Sequence, residues 1–270
     1  MKRHSGRRYR VIAWMVLAIS IGVMALSGSK LRDVQQTYQI GEESYKNLIA
    51  QVRPSAPPAL SSRPTANSPG TGSEAGSDET TGVDIPDMVI DFDALHAINP
   101  DAVAWLYSPG TVIDYPIVRA FEYNYYLHHL PDGTYNANGT LFIDYNWKSF
   151  ADRLTIVYGH NMRSGQMFAS LSNYKRQEYF DTHPYLYLYT EDGESYRIDL
   201  IYGCVIGVGE WRDRAYMFEV NLDSLLTYAA RNTTFKSEAQ YSPDDRLIVL
   251  STCSYEFDNA RYIVVGVLRS

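Results

Sequence analysis

From residue 85 onward the chain breaks into eight short runs rich in β-branched and aromatic residues, each closed by a turn or loop signal. They are Val103–Tyr107, Val112–Val118, Thr140–Ile143, Leu154–Tyr158, Tyr185–Tyr189, Tyr196–Val208, Leu247–Ser251 and Tyr262–Leu268. Such runs fit the pleated, half-buried surface of a sheet. Their length and frequency restrict the body to a mainly β architecture, a barrel or a sandwich. Glu191-Asp192-Gly193-Glu194 reads as a hairpin-type turn between two of them. In Tyr185-Leu186-Tyr187-Leu188-Tyr189 the alternation predicts one tyrosine face and one leucine face. Three stretches read as helical: Asp91–Ile98, which ends before Pro100, Met167–Tyr174 and Leu222–Arg231.

The segments before residue 85 are of a different kind. Residues 1–10 form a basic tail, with Lys2, Arg3, Arg7, Arg8 and Arg10 and no acid. Val11–Leu26 then carries no charge, and only Ser20 and Gly22 interrupt its apolar character. Sixteen residues at 1.5 Å each span about 24 Å, slightly less than a bilayer core. Residues 11–28 are therefore expected to be a single-pass anchor with its N-terminus in the cytoplasm, the basic flank staying inside. A cleaved signal peptide, cut near Ala25-Leu26-Ser27, is the competing reading. Residues 29–52 place Leu31, Val34, Tyr38, Tyr45, Leu48 and Val52 at helical spacing, with Gly41 as the weak point, and predict a solvated juxtamembrane helix. Residues 53–84 scatter Pro54, Pro57, Pro58, Pro64 and Pro69 among Ser, Thr, Gly and Ala, the composition of a disordered linker. Helix and linker together are expected to hold the domain of residues 85–270 away from a membrane.

Charge excludes one class of partner. The chain is −7 overall, and five of its 24 basic residues sit in the first ten positions. The remaining body is strongly acidic and lacks the basic face that nucleic-acid binding requires.

Chemistry concentrates at three strand ends. Leu247-Ile248-Val249-Leu250-Ser251-Thr252-Cys253 ends in a thiol, Arg261 opens the following run, and Val157-Tyr158-Gly159-His160-Asn161-Met162 ends in an imidazole. A cation or imidazolium near a thiol favours the nucleophilic thiolate. An imidazole can move a proton near neutrality, and a permanently charged guanidinium suits an oxyanion. Cys, His and Arg together suit acyl transfer. A lone strand-end cysteine is nevertheless more often structural. Two cysteines in an exported chain also allow a disulfide, although Cys204 lies in an apolar run and reads as a buried small hydrophobe. His128-His129, His96 and His183 read as surface or packing residues. There is no Gly-rich phosphate loop and no cysteine-rich metal pattern.

Ser251-Thr252-Cys253 followed by Arg261, with Tyr158-Gly159-His160-Asn161-Met162 upstream, resembles the class B sortases. Further stretches carry the same resemblance: Ile98-Asn99-Pro100-Asp101, Ile113–Val118, Tyr125-Tyr126-Leu127 and Ser254–Arg261. So does a helix before the cysteine strand. The similarity runs over about residues 88–268. It implies a closed, eight-stranded, mixed β-barrel with peripheral helices. It also implies a cysteine transpeptidase that needs no cofactor or metal. Cys253 would cleave the C-terminal sorting signal of a secreted protein after a threonine and form a thioacyl enzyme. An amine of a cell-wall precursor, or alternatively a pilin lysine, would release it. His160 would act as general acid and base, and Arg261 would hold the substrate carbonyl and the oxyanion. Ser251, Thr252, Tyr158 and Asn161 are the candidates to line the substrate groove. Two positions depart from the family pattern. Val249 stands where the signature has Thr and is expected to point into the barrel, and Glu122-Tyr123 replaces an Asp-Asn pair. Outside transpeptidation, a sortase-like hydrolase and a non-enzymatic adhesin with a structural Cys253 are the remaining readings.

Overall fold

Eight strands close on one another in the order β1-β2-β3-β4-β7-β8-β6-β5 in the computed structural model. They are β1 (Ala102–Tyr107), β2 (Asp114–Arg119), β3 (Leu141–Ile143), β4 (Leu154–Tyr158), β5 (Tyr185–Thr190), β6 (Ser195–Gly207), β7 (Leu247–Cys253) and β8 (Ala260–Arg269). The structure describes residues 5–53, 83–122, 124–144, 146–209 and 218–270. The sheet is mixed, because β2 pairs with β3 and β4 with β7 in parallel while the other neighbours run antiparallel. Pairing of β1 with β5 completes the ring, so no strand edge is left to recruit another chain. The eight predicted strands are all present, and closure decides for the barrel over the sandwich.

β7 is apolar at every position from Leu247 to Leu250 because both of its faces are covered. One face looks into the barrel, where Ile248 and Leu250 belong to the same core as Leu106, Phe168 and Val264. On the outer face Leu247 and Val249 pack with Ile263, Leu225, Leu226 and Ala229. The last three belong to a helix (Phe218–Asn232) that lies across β6. Val249 therefore does not point into the barrel. It faces outward and is fully buried by the helix, which explains why an apolar residue suits that position.

The tyrosine face of β5 is also covered, contrary to a simple alternation of wet and dry sides. Tyr187 and Tyr189 are buried, and the Tyr189 hydroxyl donates to the Pro86 carbonyl of the segment that crosses it. Helix Phe92–Ile98 follows that segment. Asp91 caps it by accepting from the Ala94 amide, and it stops at Asn99-Pro100. The predicted helix at 167–174 is a 3₁₀ stretch, Phe168–Lys175.

The N-terminal helix runs unbroken from Ser5 to Val52, through Gly41. By length and composition it could cross a membrane. Its C-terminal turns are not the solvated stalk expected of them. Tyr45, Leu48 and Val52 are buried in the main core, because the apolar stripe read from the sequence is the face that docks on the barrel. Arg53 follows, nearly buried. It reaches the Asp114 carboxylate at 2.5 Å, and the Trp105 indole donates to the same carboxylate. The chain then returns to this point, where the Asp91 amide donates to the Val52 carbonyl at 2.9 Å. Of the expected linker, residues 53–84, positions 54–82 lie outside the described residues, and both flanks sit on the barrel. The end of the N-terminal helix and the segment at Asp91 thus meet on the barrel.

Candidate active site

Register brings the candidate site residues together. β4 and β7 run parallel with Tyr158 opposite Ser251. His160 and Cys253, each two residues further on, thus leave the same end of adjacent strands. Two hydrogen bonds tie those exits. The Gly159 amide donates to the Ser251 carbonyl at 3.1 Å, and Thr252 Oγ1 donates to the Gly159 carbonyl at 2.8 Å. On the other side, β8 runs antiparallel to β7 and sets Arg261 directly opposite Cys253.

Each side chain has a distinct setting. Cys253 is half-buried and free. It continues the outward-facing row Leu247, Val249, Ser251, so its thiol lies on the outer face of the sheet. Arg261 is half-buried, and it donates to the adjacent Ala260 carbonyl at 3.1 Å. Among the described residues no carboxylate pairs with it, so its charge is available to an incoming group. The His160 ring bonds through Nε2 to the Leu127 carbonyl at 2.7 Å. A carbonyl only accepts, so Nε2 carries a proton and Nδ1 is the nitrogen left to exchange one. Burial holds the imidazole below its ordinary pKa of 6.5. The Leu127 bond opposes that shift, and the neighbouring charges of His128 and Arg261 reinforce it. His128, read from the sequence as a solvated residue, is exposed, with its ring 6.3 Å from that of His160.

The remaining candidates separate. Ser251 lies on the outward face with Cys253 and is buried; among the described residues its hydroxyl finds no partner. Thr252 points the other way, into the barrel. It is 2 % exposed and its hydroxyl is engaged by Gly159, so it lines no open groove. Its place is structural, locking the two strand exits. Tyr158 is half-buried on the outer face with its ring stacked near Phe142, 5.4 Å between centroids. Asn161 donates through Nδ2 to the Cys253 carbonyl at 2.9 Å and to Ser172 Oγ at 3.1 Å, which couples the imidazole-bearing loop to the thiol-bearing strand. In the Glu122-Tyr123 pair, Tyr123 lies outside the described residues and Glu122 is exposed.

A polar cluster that the sequence did not reveal braces the turn between Cys253 and Arg261. Lys175 donates to Ser254 Oγ at 3.0 Å and also to Glu256, and Ser254 donates to Glu256 as well. Burial works against the Glu256 charge, but the bonds from Lys175 and Ser254 together hold its carboxyl below the usual carboxylate range. Lys175 lies some 80 residues away in sequence, so no local spacing announces the cluster. Among the described residues no group of three or more His, Cys, Asp or Glu is gathered to hold a metal ion.

The two cysteines sit on either side of β8, Cys204 opposite Ile263 and Cys253 opposite Arg261. Two strand spacings put them about 10 Å apart, beyond disulfide reach. Both are free.

No protein-family model matches the chain. A Listeria monocytogenes sortase B is 32% identical over 183 residues, covering 64% of this chain and 72% of the relative. The chain belongs to the sortase B family. Solved structures agree with this. Clostridium perfringens sortase B superposes with a TM-score of 0.62 at 29% identity, over 66% of this chain and all of that one. A Streptococcus pyogenes class B sortase involved in pilus biogenesis gives 0.59 at 28% identity, over 66% of this chain and 97% of that one. The barrel and its strand order are thus those of a class B sortase, and family membership makes this chain a sortase transpeptidase.

Proposed function

We propose that the chain is a membrane-anchored cysteine transpeptidase acting on C-terminal sorting signals. The observation that carries this reading is the juxtaposition of Cys253 and Arg261 across the β7–β8 ladder, with His160 leaving the neighbouring strand at the same end, in a class B sortase barrel. Cys253 gives its thiol proton to Nδ1 of His160, and the resulting thiolate attacks the carbonyl carbon of a threonine in the signal. Arg261 donates to the oxygen as negative charge builds there. His160 delivers a proton to the departing amine, the peptide C–N bond breaks, and a thioester remains on Cys253. An acceptor amine then attacks the thioester and gives up a proton to His160, which passes it to the departing Cys253 sulfur, so the thiol is restored as the new amide leaves. Tyr158, half-buried on the outer face of β4, is the groove-lining candidate; Ser251 shares the face of Cys253 but is as buried as Thr252. Asn161 is better suited to hold the Cys253 carbonyl than to meet substrate.

A wall-precursor amine is our first choice of acceptor. The similarity to the Streptococcus pyogenes pilus sortase supports a pilin lysine as a second. The apolar N-terminal helix and its basic flank support a single-pass anchor with the barrel outside the cytoplasm. From Leu26 to the first docked turn at Thr37 the helix rises about 16 Å, so the barrel would rest close to the bilayer.

The test is peptide-library cleavage by the full chain, read by mass spectrometry, with a wall-precursor amine and a pilin lysine peptide in competition. We expect cleavage after threonine and a product heavier than the hydrolysed fragment by one amine less one water. Release to water alone, unchanged by either amine, would assign a hydrolase instead.

A further inference from the structure

The N-terminal helix and the active site are joined through one continuous set of contacts. On the helix, the Thr37 carbonyl accepts from Asn136 Nδ2 at 3.0 Å, and the Tyr45 hydroxyl donates to the Gly139 carbonyl at 2.6 Å. The Tyr45 ring meets Tyr115 edge-on at 4.9 Å. Between these anchor points Gly41 lets the helix backbone come against the loop. A Cβ there would lie 2.4 Å from Asn138 Nδ2 and 2.9 Å from Asn136 Oδ1, and both asparagines are buried. This segment in turn rests on the back of the 125–128 turn. Gly139 has φ +60°, and a Cβ on it would sit 2.5 Å from the Tyr126 carbonyl oxygen and 2.8 Å from that of Leu127. The Thr140 amide donates to Tyr126 O at 2.8 Å. The Leu127 oxygen is the atom that holds His160 Nε2.

A second branch reaches the other side of the imidazole. Asn138 Nδ2 donates to Gln166 Oε1 at 2.9 Å, and the Met167 amide donates to the hydroxyl of Tyr115, against which Tyr45 packs. Met167 pairs with Asn161, and the Phe168 amide donates to the His160 carbonyl at 2.9 Å. Met167 holds φ at 55°, a costly value for a residue with a side chain, and it is fully buried. Both the carbonyl that orients the ring and the loop that carries it are thus backed by the same two turns of helix.

We propose that the docked end of the N-terminal helix, residues 37–53, is a positioning element of the active site, acting through Gly41 and Tyr45 on the 136–140 segment and through Leu127 on His160. The helix touches neither the thiol nor a substrate. Its effect is to keep Nδ1 aimed for proton exchange. This inference rests on the proposed role of His160.

The test uses the full chain in detergent with peptide substrate. Gly41→Leu opens the close approach, while Tyr45→Phe keeps the ring and removes only the hydroxyl bond. Val34→Ser, exposed on the same helix, is the control. Misplacing a proton donor by an ångström costs up to about 100-fold. We expect Gly41→Leu to lower kcat at least about tenfold with KM for the peptide within about twofold, and Tyr45→Phe to lower kcat by a smaller factor. In ¹⁵N-histidine NMR the hydrogen-bonded Nε2–H of His160 should broaden or shift in both variants and stay unchanged in Val34→Ser. Wild-type kcat together with an unmoved His160 resonance in Tyr45→Phe would overturn the proposal, even if Gly41→Leu failed to fold. If the wild type cleaves no peptide, the transpeptidase reading fails. The NMR measurement still decides whether the helix positions the ring.

Discussion

The two cysteines lie on strands that flank β8, yet they occupy opposite chemical environments. Cys204 faces the cluster beneath helix Phe218–Asn232 and is fully buried among Ile201, Ile206, Leu222 and Ile263. Burial alone pushes its thiol up to about 12, so it stays protonated and inert at any ordinary pH. Cys253 continues the same outward-facing aspect of the sheet to its open end, where the register supplies a guanidinium instead of an isoleucine. What separates a filler thiol from a candidate nucleophile is therefore which residue stands across the ladder and how far the covering helix extends.

Four measurements can break or sharpen that contrast. The largest effect is expected from Cys253→Ala, which should reduce peptide cleavage to background, a loss of at least about 10³-fold. Mass spectrometry should also show no thioester adduct. If Cys204→Ala did this instead, the assignment would be reversed. Arg261→Ala comes next. Losing one donor to a developing oxyanion should lower kcat/KM by about 10²–10³-fold. Retained activity there would remove the guanidinium from the mechanism and leave Cys253 no different from any strand-end thiol.

The third measurement concerns the imidazole beside Cys253. The His160 pKa is lowered in the folded protein, chiefly by burial. The unfolded chain therefore takes up a proton near 6.5 that the folded chain resists. The stabilisation tied to the neutral ring is complete above 6.5 and is lost as pH falls from there toward the folded value. Melting temperatures of the wild type and His160→Gln, compared from pH 7.5 to 5.5, should show the wild type losing more. Parallel curves would mean the ring is not buried as described. The smallest effect is expected at Cys204. Cys204→Ala should leave cleavage within about twofold and cost about 1 kcal/mol by removing a packed sulfur. Iodoacetamide at neutral pH should leave Cys204 unlabelled until denaturant is added. Labelling of Cys204 in the folded state would show that its cover opens.

Much of this was legible along the chain, and the misreadings share one cause. Short runs rich in β-branched and aromatic residues, bounded by turn signals, located all eight strands, because such composition responds to the sheet whatever its neighbours are. The positions of His160, Cys253 and Arg261 at strand ends were also readable, since strand ends are local. Which face is covered was not. Val249 was expected inside and is outside under a helix; the tyrosine and leucine faces of β5 were read, but not that both are covered; Thr252 was assigned to the groove and points into the barrel. The docked end of the N-terminal helix was read as solvated for the same reason. Its apolar stripe was visible, but its partner lies about a hundred residues away in sequence.

By itself the sequence determined the elements: eight strands, an apolar N-terminal helix, and a thiol, an imidazole and a guanidinium each placed at a strand terminus. Those depend on side-chain chemistry and short periodicity, which act over a few residues. Only the tertiary structure decided that the barrel closes, that Cys253 and Arg261 face each other, that Cys204 does not, and that His160 is held by the Leu127 carbonyl with the N-terminal helix behind it. Those depend on register and on backbone atoms. Every residue carries the same carbonyl, so no pattern of side chains marks the one that a fold will use.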